Sequence, residues 1–286
     1  MRQRLYQRWD TLLRFARTGL HRRDKLALAL AGIARHRPFG GSSLYARTGR
    51  FLSRNMMPRI KCAAGLRLRL DPTDLVDLMV YEEIFVEGIY PLDVVKFTPE
   101  LILDCGACRG MFSVLAHAYF PNAGIVAFEP EPDNFKRLQH NLALNQIDTE
   151  SIAAAVGTAP GRTRFSGTGF GGRILGKEED GGYEVVVASL PALLEQRRPQ
   201  SLVLKMDIEG AEKDILPSLA SLLPPKTVIF LETHHDEATC ANYLRPLIEA
   251  GFSHELIRKR HLESDDDIDF VERLLMRPPN TGPASA

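Results

Sequence analysis

The sequence predicts an α/β fold, built as a doubly wound, mostly parallel sheet of seven strands with an antiparallel last strand. Short apolar segments alternate with helical patterns from residue 100 onward, which is typical of a parallel sheet covered on both faces. The last two apolar segments, 254–258 and 270–276, have no helical pattern between them. Two strands joined without a helix predict an antiparallel hairpin.

The elements follow in order along the chain. Residues 62–71 alternate leucines with glycine and arginine, which predicts a half-buried strand. Helices are predicted at 74–85, 109–120, from Pro132, at 211–223 and after Asp236. Strands are predicted at 101–103, 124–128, 152–156, 183–187, 202–207 and 227–231, and residues 157–182 are expected to form a loop or a β-hairpin insertion.

Charge divides the chain into parts. The 286 residues carry 36 Lys/Arg and 36 Asp/Glu, yet residues 1–60 hold 14 of the basic residues and two acids, a balance of +12. We expect a basic helical extension over 1–60, a main domain over 61–278 and a disordered tail over 279–286. The extension predicts contact with an anionic surface such as a membrane, a glycan or nucleic acid, unless it is simply a solvated helical face.

No apolar run is long enough to predict a transmembrane segment. We therefore expect a cytoplasmic protein, peripheral to the membrane if the extension binds lipid. The oligomeric state is left open. Cys105 and Cys108 form a C-x-x-C pair without further metal-ligand spacing, so neither a zinc site nor a redox role is expected.

Polar and small residues mark the ends of the first two predicted strands of the sheet. The first strand runs into Asp104-x-Gly106-Ala107-x-x-Gly110, and the second ends at Glu129, which is 23 residues after Gly106. Ligands of open α/β sheets bind beyond the carboxyl ends of the strands. Gly106 would permit a sharp turn and Gly110 a close helix start, while Glu129 could accept hydrogen bonds from both hydroxyls of a ribose.

The same turn separates two classes of nucleotide cofactor. Dinucleotide binding favours G-x-G-x-x-G facing a pyrophosphate, but the middle position here is Cys108. Asp104 would also repel a pyrophosphate, whereas a carboxylate suits the ammonium group of a methionine moiety. The sequence therefore favours S-adenosylmethionine over NAD.

Three stretches of the chain resemble the FkbM family of methyltransferases. They are residues 103–110, residues 128–130 with Asn134, Leu138, Asn141 and Asn145, and residues 204–212. The resemblance spans about residues 66 to 277. It implies a Rossmann-like class I methyltransferase fold and, most often, methylation of a hydroxyl on a sugar or a natural product. The family commonly has Asn-Ile where this chain has Cys108-Arg109, which predicts an extra cation near the edge of the cofactor.

The resemblance also implies roles for individual residues. Asp104, Gly106, Ala107 and Gly110 would hold the methionine end of the cofactor. Glu129 and Pro130 would hold the ribose, and Ala154 and Ala155 would contact the adenine. Asp207 would face the sulfonium group and the incoming nucleophile.

Methylation of a hydroxyl requires removal of its proton, for which a histidine or carboxylate base contributes about 10²–10⁴-fold in rate. Asp207, Glu209 and His234 are the predicted catalytic residues, with Asp207 or His234 favoured as the base; His235 is a further candidate. No resident metal is expected, although a metal held by Asp207, Glu232 and His234 stays open as an alternative.

The leading hypothesis is an S-adenosylmethionine-dependent O-methyltransferase that acts on a glycan or a small natural product. One alternative is a methyltransferase of RNA or protein that docks through the basic extension. Another is a non-catalytic protein that retains the fold and binds a membrane surface.

Overall fold

In the computed structural model, the described residues are 13–36, 65–71, 74–167, 172–176, 179–260 and 270–277. Most of the predicted basic extension, the acidic segment 263–269 and the tail over 279–286 lie outside them. Two compact units make up the chain, one consisting of Met1–Leu92, Cys108–Pro121 and Asn134–Asp148, the other of Asp93–Ala107, Asn122–Asp133 and Thr149–Ala286. Within the described ranges, no helix is long and apolar enough to cross a membrane.

The first unit is mainly helical in its described part. It contains a short helix at 13–17, α1 (Arg22–His36), α2 (Leu75–Tyr81), a π-helical segment (Glu82–Glu87), α3 (Met111–Tyr119) and most of α4 (Pro132–Leu144). The helix predicted from residue 74 begins as expected, because the Asp74 side chain accepts a hydrogen bond from the backbone N–H of Val76 at 2.9 Å. Its α-helical part ends earlier than predicted and continues as the π-helical segment.

Apolar side chains of the extension are buried within this unit. Phe15 and Leu28 have no exposed surface, and the Phe15 ring lies 5.4 Å from the ring of Tyr81, measured between centroids. Residues 13–31 therefore contribute to the core of their unit, which differs from a solvated helical face.

The strand predicted at 62–71 is wrong for the residues that are described. Leu66, Leu68 and Leu70 are buried as the alternation requires, but only an isolated bridge forms in this segment. Asn145, directly after α4, accepts a hydrogen bond from the Arg67 N–H and donates one to the Arg67 carbonyl, both at 2.8 Å. A side-chain amide carries the same donor and acceptor as a peptide group. The amide of Asn145 therefore makes the hydrogen bonds that a neighbouring strand would otherwise make.

The second unit holds the strands. In chain order they are β1 (Leu101–Cys105), β2 (Gly124–Phe128), β3 (Glu150–Ile152), β4 (Ala155–Gly157), β5 (Gly161–Ser166), β6 (Arg173–Ile174), β7 (Tyr183–Ser189), β8 (Ser201–Met206), β9 (Lys226–Thr233), β10 (Ser253–Arg260) and β11 (Phe270–Met276). A 3-10 turn (Leu92–Val94) precedes β1, and the helices of this unit are α5 (Leu190–Arg197), α6 (Glu212–Leu219) and α7 (Glu237–Glu249).

Seven strands form the main sheet in the order β10-β11-β9-β8-β1-β2-β3. Neighbours from β3 to β9 are parallel, and β11 runs antiparallel to both β9 and β10. The predicted seven-stranded sheet and its antiparallel end are confirmed. Because β2 and β8 lie on opposite sides of β1, the direction of the connections reverses at β1, where α/β proteins bind ligands.

One face of the main sheet forms the core of the second unit. β1 contributes Leu101, Leu103 and Cys105, and the adjacent strands contribute alternate residues in the same way, because successive strand side chains point to opposite faces. α6 and α7 pack on this face through apolar residues spaced three and four apart, which are Ile215, Leu216, Leu219, Cys240, Tyr243, Leu244 and Leu247.

The single strand predicted at 152–156 is divided between two sheets. The N–H of Ala154 donates to the carbonyl of Ile152 at 2.9 Å, and this tight turn ends β3 before β4 begins in a second sheet of order β4-β7-β5-β6. The insertion predicted at 157–182 contains the antiparallel pair β5 and β6. The strand predicted at 183–187 belongs to this smaller sheet, where Phe165 and Val185 form a core with Ala155.

Candidate active site at the strand tips

Backbone hydrogen bonds join the carboxyl ends of four neighbouring strands of the main sheet. The N–H groups of Gly106 and Ala107 both donate to the carbonyl of Phe128, at 3.1 and 2.8 Å, which joins β1 to β2. The N–H of Asp207 donates to Cys105 at 3.2 Å, and the N–H of Glu129 donates to Ile152 at 3.1 Å. The predicted site residues of β1, β2, β3 and β8 therefore lie at one edge of the sheet.

The close approach of the tip of β8 requires a glycine at position 106. Its φ of +77° lies in the left-handed region, which glycine adopts without steric cost. A Cβ at this position would lie 1.9 Å from the carbonyl oxygen of Asp207. The sequence interpretation attributed this glycine to a turn and a ligand, and the structure adds a contact with β8.

Gly110 belongs to the first unit, where it starts α3 with a φ of +73°. A Cβ there would lie 2.5 Å from a methyl carbon of Leu138 and 3.1 Å from its Cα. The close helix start predicted for Gly110 is a contact between α3 and α4.

Arg109 takes part in a buried ion-pair network of the first unit. Its guanidinium lies 2.8 Å from Asp74 and 3.1 Å from Asp77, and Arg137 lies 2.8 Å from Asp77. The side chain predicted to add a cation near the cofactor is thus held by two aspartates. Burial raises the pKa of Asp77 to about 6, although Arg137 and Arg109 act to lower it.

Asp104 is completely buried and faces a lysine of the next strand. The register of β1 and β8 sets Asp104 opposite Lys205, whose ammonium lies 3.7 Å from Asp104 and 3.5 Å from Asp207. The ammonium also donates to the carbonyl of Gly106 at 2.6 Å. Lys205 therefore links the turn after β1 to the tip of β8.

Glu129 is held in one orientation at the tip of β2. Its Oε1 accepts a hydrogen bond from the backbone N–H of Glu131 at 2.8 Å, and only 4% of the residue is exposed. Pro130, which follows it, is half-buried. Ala154 is buried in the turn after β3, and Ala155 is already part of the smaller sheet.

A second group of polar side chains surrounds His234, the residue that follows β9. Its Nδ1 lies 3.2 Å from Oε1 of Glu212, which is completely buried. Its Nε2 lies 3.5 Å from Glu209, 3.7 Å from Glu232 and 3.9 Å from Asp207. The three residues of the metal alternative, Asp207, Glu232 and His234, offer ligand atoms within 4.8 Å of one another.

The carboxylates determine the charge state of this group. Burial acts to lower the pKa of His234, but Glu212, Asp207 and Glu209 outweigh it and raise the pKa to about 10. Burial raises the pKa of Glu209 to about 7. Glu209 also has a φ of 57°, and such backbone strain at a non-glycine residue is concentrated at functional sites.

The sequence reasoning assigned no role to Lys205 and gave Glu212 no contact with His234. A signal for Lys205 was available, since it is the one charged residue within the apolar run of β8 and a buried charge requires partners. Glu212 had no such signal, because acidic residues are common in the first turn of any helix.

Residues 104–266 match the methyltransferase FkbM domain, which is more than half of the chain. The protein belongs to this family. The family match agrees with the predicted cofactor class, S-adenosylmethionine.

This FkbM-domain protein matches curated relatives over only part of their length. The AMB antimetabolite synthetase AmbE of Pseudomonas aeruginosa is 28% identical over 65% of this chain, which spans only 11% of that protein. The 31-O-demethyl-FK506 methyltransferase FkbM of Streptomyces tacrolimicus is 32% identical over 30% of this chain and 34% of its own length. Among solved structures, M. jannaschii TYW2 in complex with AdoMet aligns with a TM-score of 0.43 and 14% identity, over 75% of this chain and 84% of that one.

Proposed function

We propose that this FkbM-domain protein transfers a methyl group from S-adenosylmethionine to a hydroxyl oxygen of a glycan or a small natural product. The observation that carries the proposal is the position of Asp207 and Glu209, two carboxylates in the segment that follows β8, where the Asp207 N–H donates to the last residue of β1. A hydroxyl nucleophile needs a base at that position. The name of the Streptomyces relative, 31-O-demethyl-FK506 methyltransferase, also describes an O-methylation.

The strand tips fit the cofactor. Glu129, whose carboxylate is fixed by the Glu131 N–H, would accept hydrogen bonds from the ribose hydroxyls. Gly106 and Ala107 would offer backbone at the methionine end. Asp104 would act there through Lys205, because its own carboxylate is buried against that ammonium.

When bound, the cofactor supplies a methyl group on a positively charged sulfur. The protein's task is to align the acceptor oxygen with that methyl group, and positioning of this kind can lower the barrier by about 7–11 kcal/mol. Asp207 or Glu209 would take the proton of the acceptor hydroxyl as the new oxygen–carbon bond forms.

Calorimetric titration with S-adenosylmethionine tests the cofactor site. The Glu129→Ala variant should bind at least about tenfold more weakly, since hydrogen bonds to a charged group contribute about 1.5–3 kcal/mol. Glu150→Ala is the matched control, because Glu150 lies at the opposite end of a strand in the same sheet and pairs with Arg197 on the surface. If the wild type releases no heat, or both variants bind equally well, the proposed cofactor site is wrong.

The catalytic part is tested by turnover with hydroxylated acceptors. Asp207→Asn and Glu209→Gln retain the size of the side chain and remove its basicity. At least one of them should depress turnover by about 10²-fold or more while the affinity for S-adenosylmethionine stays within about threefold. Unchanged turnover in both variants would exclude the two carboxylates as the base.

A further inference from the structure

The second nitrogen of the His234 ring faces an arrangement of oxygens that hydrogen bonding explains poorly. The distances from Nε2 to Glu209, Glu232 and Asp207 are 3.5, 3.7 and 3.9 Å. A charge-assisted hydrogen bond between nitrogen and oxygen is usually about 2.7–2.9 Å long. All three contacts are longer than this, and they are similar to one another.

These separations are slightly longer than those between ligands that share a cation. Nitrogen and oxygen ligands lie about 2.0–2.2 Å from a divalent transition metal, so neighbouring ligand atoms are about 3.0–3.5 Å apart. The ligand atoms of Asp207, Glu232 and His234 lie within 4.8 Å of one another. A small inward movement of the side chains would therefore complete the coordination.

The opposite side of the imidazole supplies an independent observation. Glu212 has no exposed surface and accepts a hydrogen bond from Nδ1 of His234 through Oε1, which also accepts the backbone N–H of Ile208. Histidines that bind metals almost always donate their other ring N–H to such a group, which sets the tautomer. Glu212 thereby directs Nε2 of His234 toward the three oxygens.

The charge balance points the same way. Four carboxylates surround the ring, and they are those of Asp207, Glu209, Glu212 and Glu232. A protonated His234 and the Lys205 ammonium near Asp207 supply two positive charges at most. Charge of one sign at a partly buried site is costly without compensation, and a divalent cation would provide it.

We propose that Asp207, Glu232 and His234 bind a divalent transition metal ion of the Mn²⁺ class, with Glu212 orienting His234. The imidazole ligand favours a transition metal over Mg²⁺ or Ca²⁺, and the carboxylates favour Mn²⁺ over softer ions. Three protein ligands leave coordination positions open, as catalytic metal sites do. This inference rests on the proposed function, in which the ion would bind the acceptor oxygen, lower the pKa of its hydroxyl and leave Glu209 to receive the proton.

The test is a titration of the full chain with Mn²⁺ in the absence of S-adenosylmethionine. Electron paramagnetic resonance measures the concentration of the free ion. The wild type should bind one equivalent. His234→Ala and Glu232→Gln should each weaken binding by at least about tenfold, and Glu212→Gln by about 10–100-fold. His235→Ala is the matched control and should leave binding unchanged, because His235 contacts the ring of Tyr243. Circular dichroism checks that each variant is folded.

Absence of Mn²⁺ binding by the wild type would overturn the metal site, as would equal affinities of His234→Ala and His235→Ala. Turnover separates this inference from the proposed function. If the chelated enzyme still binds S-adenosylmethionine and methylates at its full rate, the metal inference fails and the methyltransferase proposal stands. If Mn²⁺ binds and S-adenosylmethionine does not, the methyltransferase proposal fails and with it the role of the ion in catalysis.

Discussion

Replacement of Lys205 by methionine would remove a cation that lies near both Asp104 and Asp207. Its ammonium is 3.7 Å from Asp104 and 3.5 Å from Asp207, and it donates to the carbonyl of Gly106 at 2.6 Å. Methionine retains most of the apolar stem of lysine, so the packing within β8 should change little. The variant therefore isolates the loss of the charge.

The expected cost follows from the burial of the partners. Removal of one partner of a buried ion pair costs about 3–5 kcal/mol, because the other charge stays buried. Asp104 meets that condition with 0% of its side chain exposed, whereas Asp207 is 28% exposed and water screens its share. We expect Lys205→Met to lower the free energy of unfolding by about 3–5 kcal/mol, a large part of the ~5–15 kcal/mol of a typical domain.

Urea unfolding at neutral pH, followed by circular dichroism, measures this change. The exposed Lys213→Met should change stability by less than about 0.5 kcal/mol and controls for the loss of a lysine. The double variant Asp104→Asn/Lys205→Met should recover much of the loss, because the buried charge of Asp104 is then removed as well. A loss below about 1 kcal/mol in Lys205→Met, or a double variant that is no more stable than the single one, would refute the reasoning.

Three further predictions concern stability. Burial raises the pKa of Asp77 in the folded state from 3.8 to about 6, so folding binds a proton between these pH values. The stability of the wild type relative to Asp77→Asn should therefore fall as pH rises through that window. Urea unfolding at several pH values measures this difference, and a rise would contradict the prediction. Asn141→Ala should cost about 1–3 kcal/mol, since its buried amide bonds to the backbone of Arg109, just before α3, and to that of Arg69. The more exposed Asn145→Ala should cost less in the same assay. Gly106→Ala should lower stability by more than about 2 kcal/mol in thermal unfolding. Gly161→Ala, with open space around the glycine, should be close to neutral in the same assay. Equal effects of the two variants would count against the contact with β8.

The main sheet could be predicted because its signals are local. The apolar runs of β1, β2 and β8 are bounded by the residues that follow them, so the strand tips at Asp104, Glu129 and Asp207 were located from the sequence to within a residue or two. Apolar side chains at helical spacing likewise indicated α7 and its Asp236 cap, which accepts the Thr239 N–H at 2.9 Å.

The errors arose where tertiary contacts overrode local pattern. Residues 62–71 have the alternation of a strand, but Asn141 of α4 and Asn145 directly after it accept the backbone N–H groups of Arg69 and Arg67. Residues 152–156 have the apolar character of one strand, yet a turn at Ala154 divides them between two sheets. Periodicity reports which side chains are buried, and it does not report which partner receives the backbone hydrogen bonds.

By itself, the sequence determined the order of strands and helices and the residue types at the strand tips, because both depend on neighbours within a few positions. Only the tertiary structure decided which charges meet. The register of two parallel strands sets Lys205 opposite Asp104, and the tips of β8 and β9 with the start of α6 enclose His234 among carboxylates. Such pairs are distant along the chain, and their energies depend on separations of a few ångströms and on burial, neither of which can be read from spacing in the sequence.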